Sequence, residues 1–422
     1  MNINYRNKIH EFSLIYNNCI DKFYQWFVGF SDAESNFLIV PKYVINNNKI
    51  KSFSFRFTIT LHKDDKDVLL IIQNLLNLGN VSENIDECRF IVSDKKSILK
   101  LIDIFDKYNL NTSKYFDYLD FKKAFNLYFE RENLITKELE EKLLQLKKGM
   151  NKARTNSILY EHIHITTSWL LGLIEGEGSF HLWRNNLIPV FSIVMSEQQL
   201  PVLIKIKEFF ITNLGFDKNS IFKLKNSSIM TLNIQKARNN SKNSVLFLIK
   251  NIHILHNYLI PFFNEVKFIS KKGKDFYDFK IICQTIYFGA HLDDTIKLLI
   301  LKLSKTMNNF RLSTNVNNNL NLLSDNEKNT LIKASPLFEH LWDGRIRNVN
   351  TKKIIHQHES SIYKILKPNK EILLVQTLSE AAEIIGVNIK TLSKYLDIEI
   401  SNNSKFTITI KNYSIKRIKV FK

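Results

Sequence analysis

One stretch of this chain occurs twice, and that repeat constrains the fold more than any other feature. Residues 26–37 read WFVGFSDAESNF and residues 169–180 read WLLGLIEGEGSF. Trp, Gly, two acids and a closing Phe recur at the same offsets, displaced by 143 positions (172 − 29). Three more landmarks follow in the same order. Phe57-Thr-Ile-Thr-Leu answers to Phe191-Ser-Ile-Val-Met, and Lys114-Tyr-Phe-Asp-Tyr-Leu-Asp-Phe to Lys272-Gly-Lys-Asp-Phe-Tyr-Asp-Phe. Leu146-Lys-Lys-Gly-Met-Asn-Lys-Ala-Arg answers to Leu303-Ser-Lys-Thr-Met-Asn-Asn-Phe-Arg. Four landmarks in register order imply two copies of one fold unit.

Each copy reads as helix, two strands, helix, further strands, helix. Asp21 in one copy, and Thr166 or Thr167 in the other, can cap the first helix. Residues 37–42 and 53–61 alternate like strands with one buried face. Residues 64–78 form an amphipathic helix closed by Gly79, 89–93 a short strand and 95–108 a helix. In the second copy the matching segments are 181–184, 190–195, 198–214 closed by Gly215, and 230–235. The charged, helical segment 136–148 reads as a connector. The expectation is an α+β fold with pseudo-two-fold symmetry.

The chain has 422 residues, room for two or three domains, and its 44% hydrophobic content supplies a sizeable core. Lys and Arg number 60 against 41 Asp and Glu, a net charge of +19 that would attract a polyanion, nucleic acid above all. A membrane partner is not expected, because no apolar run approaches 18 residues and lysines interrupt 296–303. Cys19, Cys88 and Cys283 fit no zinc or redox spacing and read as reduced core thiols. The pairs His162/His164 and His356/His358 supply two ligands each, too few for a metal site. Residues 1–18 carry no export or import signal. Heavy use of Asn, Ile, Lys, Phe and Tyr points to a gene with A/T-rich codons.

The repeated acids carry the chemistry. The helices over 23–34 and 168–177 each hold an interior glycine, Gly29 or Gly172, at a cost of about 1 kcal/mol relative to Ala. Close approach of another backbone would justify it, and the two helices are natural partners. Each also ends in acids, Asp32 and Glu34 or Glu175 and Glu177, where the helix dipole disfavours negative charge. Solvated helix-end acids are one reading. The other, favoured by the duplication, is that Glu34 and Glu177 converge to bind Mg2+, which neutralises a phosphodiester and activates water.

The two motifs, Phe27-Val-Gly-Phe-Ser-Asp-Ala-Glu-Ser and Leu170-Leu-Gly-Leu-Ile-Glu-Gly-Glu-Gly, resemble those that name the LAGLIDADG homing endonucleases, in the double-motif form. The resemblance covers roughly residues 20–315. It implies metal binding by Glu34 and Glu177, with the carbonyls of Ala33 and Gly176 as further ligands, and a structural role for Asp32 and Glu175. Lys114 and Lys272 match the basic residues that assist the water network. Ser35 in place of the motif-ending glycine, and Ser31 within the apolar run, point to a less well-formed first site.

In that family each repeat's antiparallel sheet lies in the DNA major groove. Alternation then directs Leu38, Val40 and Lys42 toward DNA, with Arg56, Thr58, Thr60, Arg89 and Ile91 beside them. In the second repeat His181, Trp183, Asn185, Thr231 and Asn233 take that face. Arg and Asn can read base edges, and Lys phosphates or guanine.

The resemblance also implies the layout: first repeat 20–135, inter-repeat linker 136–165, second repeat 166–314, an Asn-rich linker 315–350, and a C-terminal module 351–422. Within the module, residues 377–396 have helix-turn-helix spacing, with Gly386 at the turn and Lys390, Thr391 and Lys394 on the second helix. Residues 364–375 and 406–420 read as flanking strands. An αα-hairpin without a DNA role has the same spacing. The expected activity is Mg2+-dependent double-strand cleavage of a long DNA site by a pseudo-symmetric monomer, encoded and translated in a mitochondrion. The alternatives are a maturase acting on group I intron RNA and a DNA-binding regulator.

Overall fold

The computed structural model describes residues 20–44, 49–131, 134–151, 160–225, 228–237, 242–315, 323–341, 345–355, 361–401 and 408–421. Cys19, Arg154, His356, His358 and the segment 1–18 lie outside them.

The first repeat runs α1 (Ile20–Glu34), β1 (Ser35–Tyr43), β2 (Ile50–His62), α2 (Lys66–Leu76), β3 (Asn80–Glu83), β4 (Glu87–Val92), α3 (Lys95–Lys107), α4 (Lys114–Phe129) and α5 (Lys137–Gly149). The second runs α6 (Thr167–Glu177), β5 (Gly178–Trp183), β6 (Ile188–Ser196), α7 (Leu200–Asn213), α8 (Lys218–Lys225), β7 (Met230–Gln235), β8 (Ser244–Ile249), a helical stretch 252–264, α9 (Lys272–Tyr287) and α10 (Asp294–Ser304). Both sheets are antiparallel with the same strand order, β1-β2-β4-β3 and β5-β6-β8-β7.

The landmarks fall at equivalent places. Phe37 pairs with Phe57, and Phe180 with Phe191. On the buried face Phe37 meets Phe121 at 5.3 Å between ring centroids, and Phe180 meets Phe279 at 5.3 Å. The Met-Asn landmark is a backbone lock. Asn151 and Asn308 sit at φ 58° and 56°, a left-handed conformation that Asn tolerates better than most residues. Their side-chain amides donate to the carbonyls of Phe37 (3.1 Å) and Phe180 (2.9 Å). Their main-chain N–H groups donate to Asp117 (2.9 Å) and Asp275 (3.0 Å). The lock ties each repeat's last helix back to its first strand.

Some boundaries shift. The segment read as a connector, 136–148, is helix α5, capped by Thr136 and packed on α4 with Leu143 fully buried. It answers to α10 of the second repeat, so the first repeat extends through it. The stretch 315–350 is not an open linker. Its described part holds helix α11 (Asp325–Ile332), whose Glu327 and Lys328 pair with Lys302 (2.7 Å) and Asp278 (3.1 Å) of the second repeat. Strands β9 (Phe338–His340), β10 (Ile346–Asn348) and β11 (Ile354–Ile355) form a small sheet beyond it. The buried apolar residues of its described part, Leu323, Leu331 and Ile346, are too few and too far apart to give a readable period among its asparagines.

The C-terminal module has its own core, including Tyr363, Ile365, Leu378, Ala381, Ala382, Ile385, Leu392 and Leu396. Two hairpins, β12 (Ser361–Leu366) with β13 (Ile372–Val375) and β14 (Ile408–Ile410) with β15 (Tyr413–Lys419), make one sheet in the order β13-β12-β15-β14. Helices α12 (Leu378–Ile385) and α13 (Ile389–Ser401) lie between the hairpins in sequence and turn at Gly386 (φ 70°). The module is seated on α8: Lys223 donates to the Gln376 carbonyl (2.6 Å), and the Phe421 N–H to Ser220 (3.0 Å). No helix among the described residues is long and apolar enough to cross a membrane.

Candidate active site

Helices α1 and α6 cross in main-chain contact. A Cβ on Gly29 would lie 1.9 Å from the Trp169 carbonyl oxygen, and one on Gly172 would lie 2.1 Å from that of Trp26. Only glycine allows this approach. Nearer the C-terminal ends, a Cβ on Gly176 would come 2.4 Å from Cβ of Ala33 and 3.0 Å from Oε1 of Glu34. The crossing therefore delivers the Glu34 carboxylate to the backbone of the other repeat.

The first acid of each motif is an anchor. Buried Asp32 accepts from the N–H groups of Asn111 (2.8 Å) and Thr112 (3.0 Å), from the Thr112 hydroxyl (2.5 Å) and from Trp169 Nε1 (2.8 Å). Buried Glu175 accepts from the N–H groups of Ile269 (2.8 Å) and Ser270, and from Trp26 Nε1 (3.1 Å). Each motif tryptophan thus clasps the acid of the opposite repeat. Burial pushes both carboxyls up, and these hydrogen bonds oppose it.

The second acids, Glu34 and Glu177, stand together at the open end. Glu177 retains solvent-exposed surface, but protein atoms crowd its carboxyl. That desolvation, followed by the negative charge of Glu34, pushes it up to about 7, against the pull of Lys114 and Lys272. Desolvation likewise raises Glu34, and the same two lysines oppose it. Lys114 Nζ donates to the carbonyls of Ala33 (2.8 Å) and Ser31 (3.2 Å), the negative end of helix α1. Burial lowers its pKa despite the nearby acids.

Two clefts flank the pair. One brings Lys114, Met150 and Asn151 against Glu197 and Lys242 of the second repeat. The other brings Lys272, Gly176 and Arg311 against Glu34, His62 and Asp65 of the first. Two carboxylates with the Ala33 and Gly176 carbonyls would form an all-oxygen donor set, which suits a hard divalent cation. No group of three or more His, Cys, Asp or Glu among the described residues could hold a metal. Further ligands would have to be carbonyls, water or a bound phosphate. The crowded, like-charged Glu34 and Glu177 fit such an open cation site.

Two residues, Asp65 lining one cleft and buried Gln199 behind Ser113 of the other, escaped the sequence reading. Gln199 accepts from the Ser113 N–H (3.1 Å) and donates to its hydroxyl (2.7 Å), and Asp65 accepts from the Lys271 N–H. Both stand eight residues past a matched phenylalanine (65 − 57 and 199 − 191) and reach into the opposite repeat. Their unlike chemistry hid the equivalence. His162, from the first His-x-His pair, stacks on Tyr115 at 4.3 Å.

The motif departures are matched to each other. Ser35, at the position of Gly178, donates from its hydroxyl to the Ser31 carbonyl (2.7 Å). A Cβ on Gly178 would lie 2.6 Å from Cγ2 of Ile174, the residue answering to Ser31. The small Ser31 makes room for Ser35, and both helix ends continue directly into a strand.

The sheet faces turned away from the core hold most of the expected contact residues. Leu38, Val40 and Lys42 share a face on β1, opposite the register partners Arg56, Ser54 and Ser52 of β2. Thr58 and Thr60 of β2 pair with Ile91 and Arg89 of β4. His181 and Trp183 lie on the corresponding face of β5, and Thr231 and Asn233 on that of β7. Asn185 is displaced: β5 ends at Trp183, and residues 184–187 form a turn with Leu187 at φ 51°. Lys390, Thr391 and Lys394 are exposed on α13.

The crossed helices, paired sheets and apposed carboxylates define a two-repeat protein with one composite site at its pseudo-dyad. The sequence profile described as LAGLIDADG endonuclease matches residues 27–125 and 170–283, together half of the chain. The protein belongs to that family. Among curated relatives, it is 32% identical over 231 residues to the "Probable intron-encoded endonuclease Cox1-I1b" of Schizosaccharomyces pombe, covering 54% of this chain and 58% of that one. It is 27% identical over 311 residues to the "Uncharacterized mitochondrial protein RF1" of Saccharomyces cerevisiae, covering 72% and 64%. The chain thus spans less than two thirds of either relative. Among solved structures, it matches the LAGLIDADG homing endonuclease I-GzeII in complex with its DNA target, at TM-score 0.57 and 26% identity over 68% of this chain and 99% of that one. The meganuclease I-CpaMI shares the fold, at TM-score 0.58 and 22% identity over 68% and 99%.

Proposed function

We propose that this protein is a site-specific DNA endonuclease that makes a Mg2+-dependent double-strand break. The observation that carries the proposal is the meeting of Glu34 and Glu177 where α1 crosses α6, between two sheets whose outer faces are free of the core. Glu34 and Glu177 would hold the metal with the carbonyls of Ala33 and Gly176. A bound divalent ion supplies charge neutralisation at the phosphodiester and a more acidic water. The chain's own groups do the rest. Asp32 and Glu175 fix the helix ends so that the carboxylates stay apposed. Lys114 and Lys272 bring positive charge to the two clefts and favour the ionised form of both glutamates. Lys114 also competes with a cation for the Ala33 carbonyl.

Double-stranded DNA would lie across both sheets, contacted by the outward residues of β1, β2, β4, β5 and β7. The C-terminal module would add contacts through Lys390, Thr391 and Lys394, in the manner of a recognition helix. The mitochondrial naming of a relative supports action in that organelle. A single chain supplies both halves, so the active species is a monomer.

The test is cleavage of the intronless form of the host gene's DNA by the full-length protein, with Mg2+ and with EDTA. Metal-dependent linearisation at one site is the expected result. Binding without nicking in any divalent cation would overturn the nuclease reading and turn attention to group I intron RNA.

A further inference from the structure

The two outer sheet faces share one topology and each has apolar residues, Leu38, Val40 and Ile91 on the first and Val194 and Leu246 on the second, but they differ in charge. Strands β1 to β4 present Lys42, Arg56 and Arg89, with Arg56 beside Leu38 and Arg89 beside Thr60 and Ser82. Arg89 also pairs with the exposed Glu87 of its own strand at 2.9 Å, which leaves part of its guanidinium fork for a base. Strands β5 to β8 contain no Lys, Arg, Asp or Glu at any position. Their outer face instead has the row Val194–Leu246–Asn233 across three strands, the row Ser192–Leu248–Thr231, and Trp183 opposite Ile188. Trp183 and Val194 are each 40% exposed although they are large and apolar. Among the described residues, cations stand outside these strands: Lys236 follows β7, Lys242 precedes β8, Lys250 Nζ lies 5.8 Å from the Trp183 ring centroid, and Arg184 is held by Ser304 (3.0 Å).

Base pairs differ in what they offer such faces. Guanine presents two acceptors that pair bidentately with Arg or Lys, adenine pairs with Asn or Gln, and thymine offers a methyl group to apolar side chains. The second sheet has no guanidinium or ammonium donor within its strands. It has Asn233, Gln235 and a cluster of apolar groups, which suit adenine and the thymine methyl. The first sheet has the donors that guanine needs.

We infer that the second repeat reads an A·T-rich half-site through Asn233 and the thymine-methyl contacts of Trp183, Val194 and Leu246, while the first repeat reads guanines through Arg56 and Arg89. The inference rests on the DNA-binding reading above and adds to it the composition and polarity of the target. Affinity is also divided unequally: the first half-site supplies most of the salt-dependent binding from the sheets, and the second most of the salt-independent part.

The experiment selects duplexes from a randomised library with the full-length protein, then replaces dT by deoxyuridine, which lacks only the C5 methyl, in one half-site at a time. Arg56→Ala and Val194→Thr assign the halves, since each should relax selection in its own half alone. Expected are A·T pairs in the half relaxed by Val194→Thr, and about fourfold weaker binding for each methyl removed there, the size of one lost apolar carbon. In the half relaxed by Arg56→Ala, guanines should be selected and the loss per deoxyuridine should be smaller than in the other half. Specific binding with guanines equally frequent in both halves, or with deoxyuridine harmless in the second, would overturn this inference alone. Selection of no duplex at all would overturn the DNA-binding reading with it.

Discussion

The two repeats use the same bonds to hold their helices and differ in what surrounds those bonds. In both, a tryptophan crosses to the opposite acid, a glycine admits the opposite backbone, and an asparagine in left-handed conformation ties the last helix to the first strand. Around this shared frame the copies diverge. Ser31 and Ser35 stand where the second copy has Ile174 and Gly178, Asp65 where it has Gln199, and charged strands where it has uncharged ones. The buried contacts of the two crossing helices share their chemistry, because a change on one side would strand a buried partner on the other, whereas the crossing contacts of Asp65 and Gln199 differ. Contacts that each copy makes alone, and the outward strand residues proposed to face DNA, differ between the copies.

The largest expected effect breaks the shared part. Glu34→Gln or Glu177→Gln should each reduce linearisation of a plasmid target by about a thousandfold, the scale of losing a metal's charge stabilisation. Binding in gel shift should change little. If the halves act separately, each variant will nick a different strand, and strand-specific end-labelling shows which carboxylate serves which strand. Linearisation at the normal rate by either variant would sink the assignment. Next in size are Gly29→Ala and Gly172→Ala, whose new methyl groups meet main chain rather than movable side chains. Each should cost about 3 kcal/mol in denaturant unfolding, and the two should be alike because both meet a tryptophan carbonyl.

The frame was legible in the sequence because it is duplicated. The helix glycines, the acid pairs, the alternating strands and the Met-Asn endings each occurred twice, and their structural equivalence follows from register alone. Asp65 and Gln199 were missed because a carboxylate and an amide do not look like a repeat, although their offset from Phe57 and Phe191 is identical. Strand β8 and the run 252–264 were missed for another reason. Val245 to Ile249 is a short continuous apolar run, in which strand and helix periods cannot be separated, and 252–264 follows it after only Lys250 and Asn251. The packed part of 315–350 was hidden by its asparagines.

A smaller effect sharpens the comparison between the two glutamates. Crowding and Glu34 push the carboxyl of Glu177 up to about 7, so near neutral pH a large share of the molecules carry a proton there that a cation would have to displace. Cutting should therefore fall as pH drops below about 7, approaching tenfold per unit, with the midpoint lowered by whatever screening its solvent-exposed side provides. The sign for the metal-free protein is opposite. A carboxyl raised in the folded state contributes stability that is present below its ordinary value of 4.5 and is lost as pH rises through the folded value. Glu177→Gln should thus flatten the pH dependence of metal-free unfolding between about pH 4.5 and pH 7, the ordinary and the folded value of this group. Equal slopes for the variant and the parent protein would show that Glu177 titrates as an ordinary solvated acid.

The smallest effect tests whether the serine pair of the first repeat is a repaired motif or an incidental one. Ser35→Gly removes one buried hydrogen bond, to the Ser31 carbonyl, and should cost about 1 kcal/mol. Ser31→Ile alone should cost about 2 kcal/mol, because the larger side chain enters space that Ser35 now occupies. The double variant rebuilds the Ile-Gly pair of the second repeat, where Cγ2 of Ile174 lies 2.6 Å from the place a Cβ on Gly178 would take. Its cost should fall short of the sum of the two single costs by about 1 kcal/mol. Strict additivity would mean that the serines do not compensate for each other and that the two helix ends tolerate either pair for independent reasons.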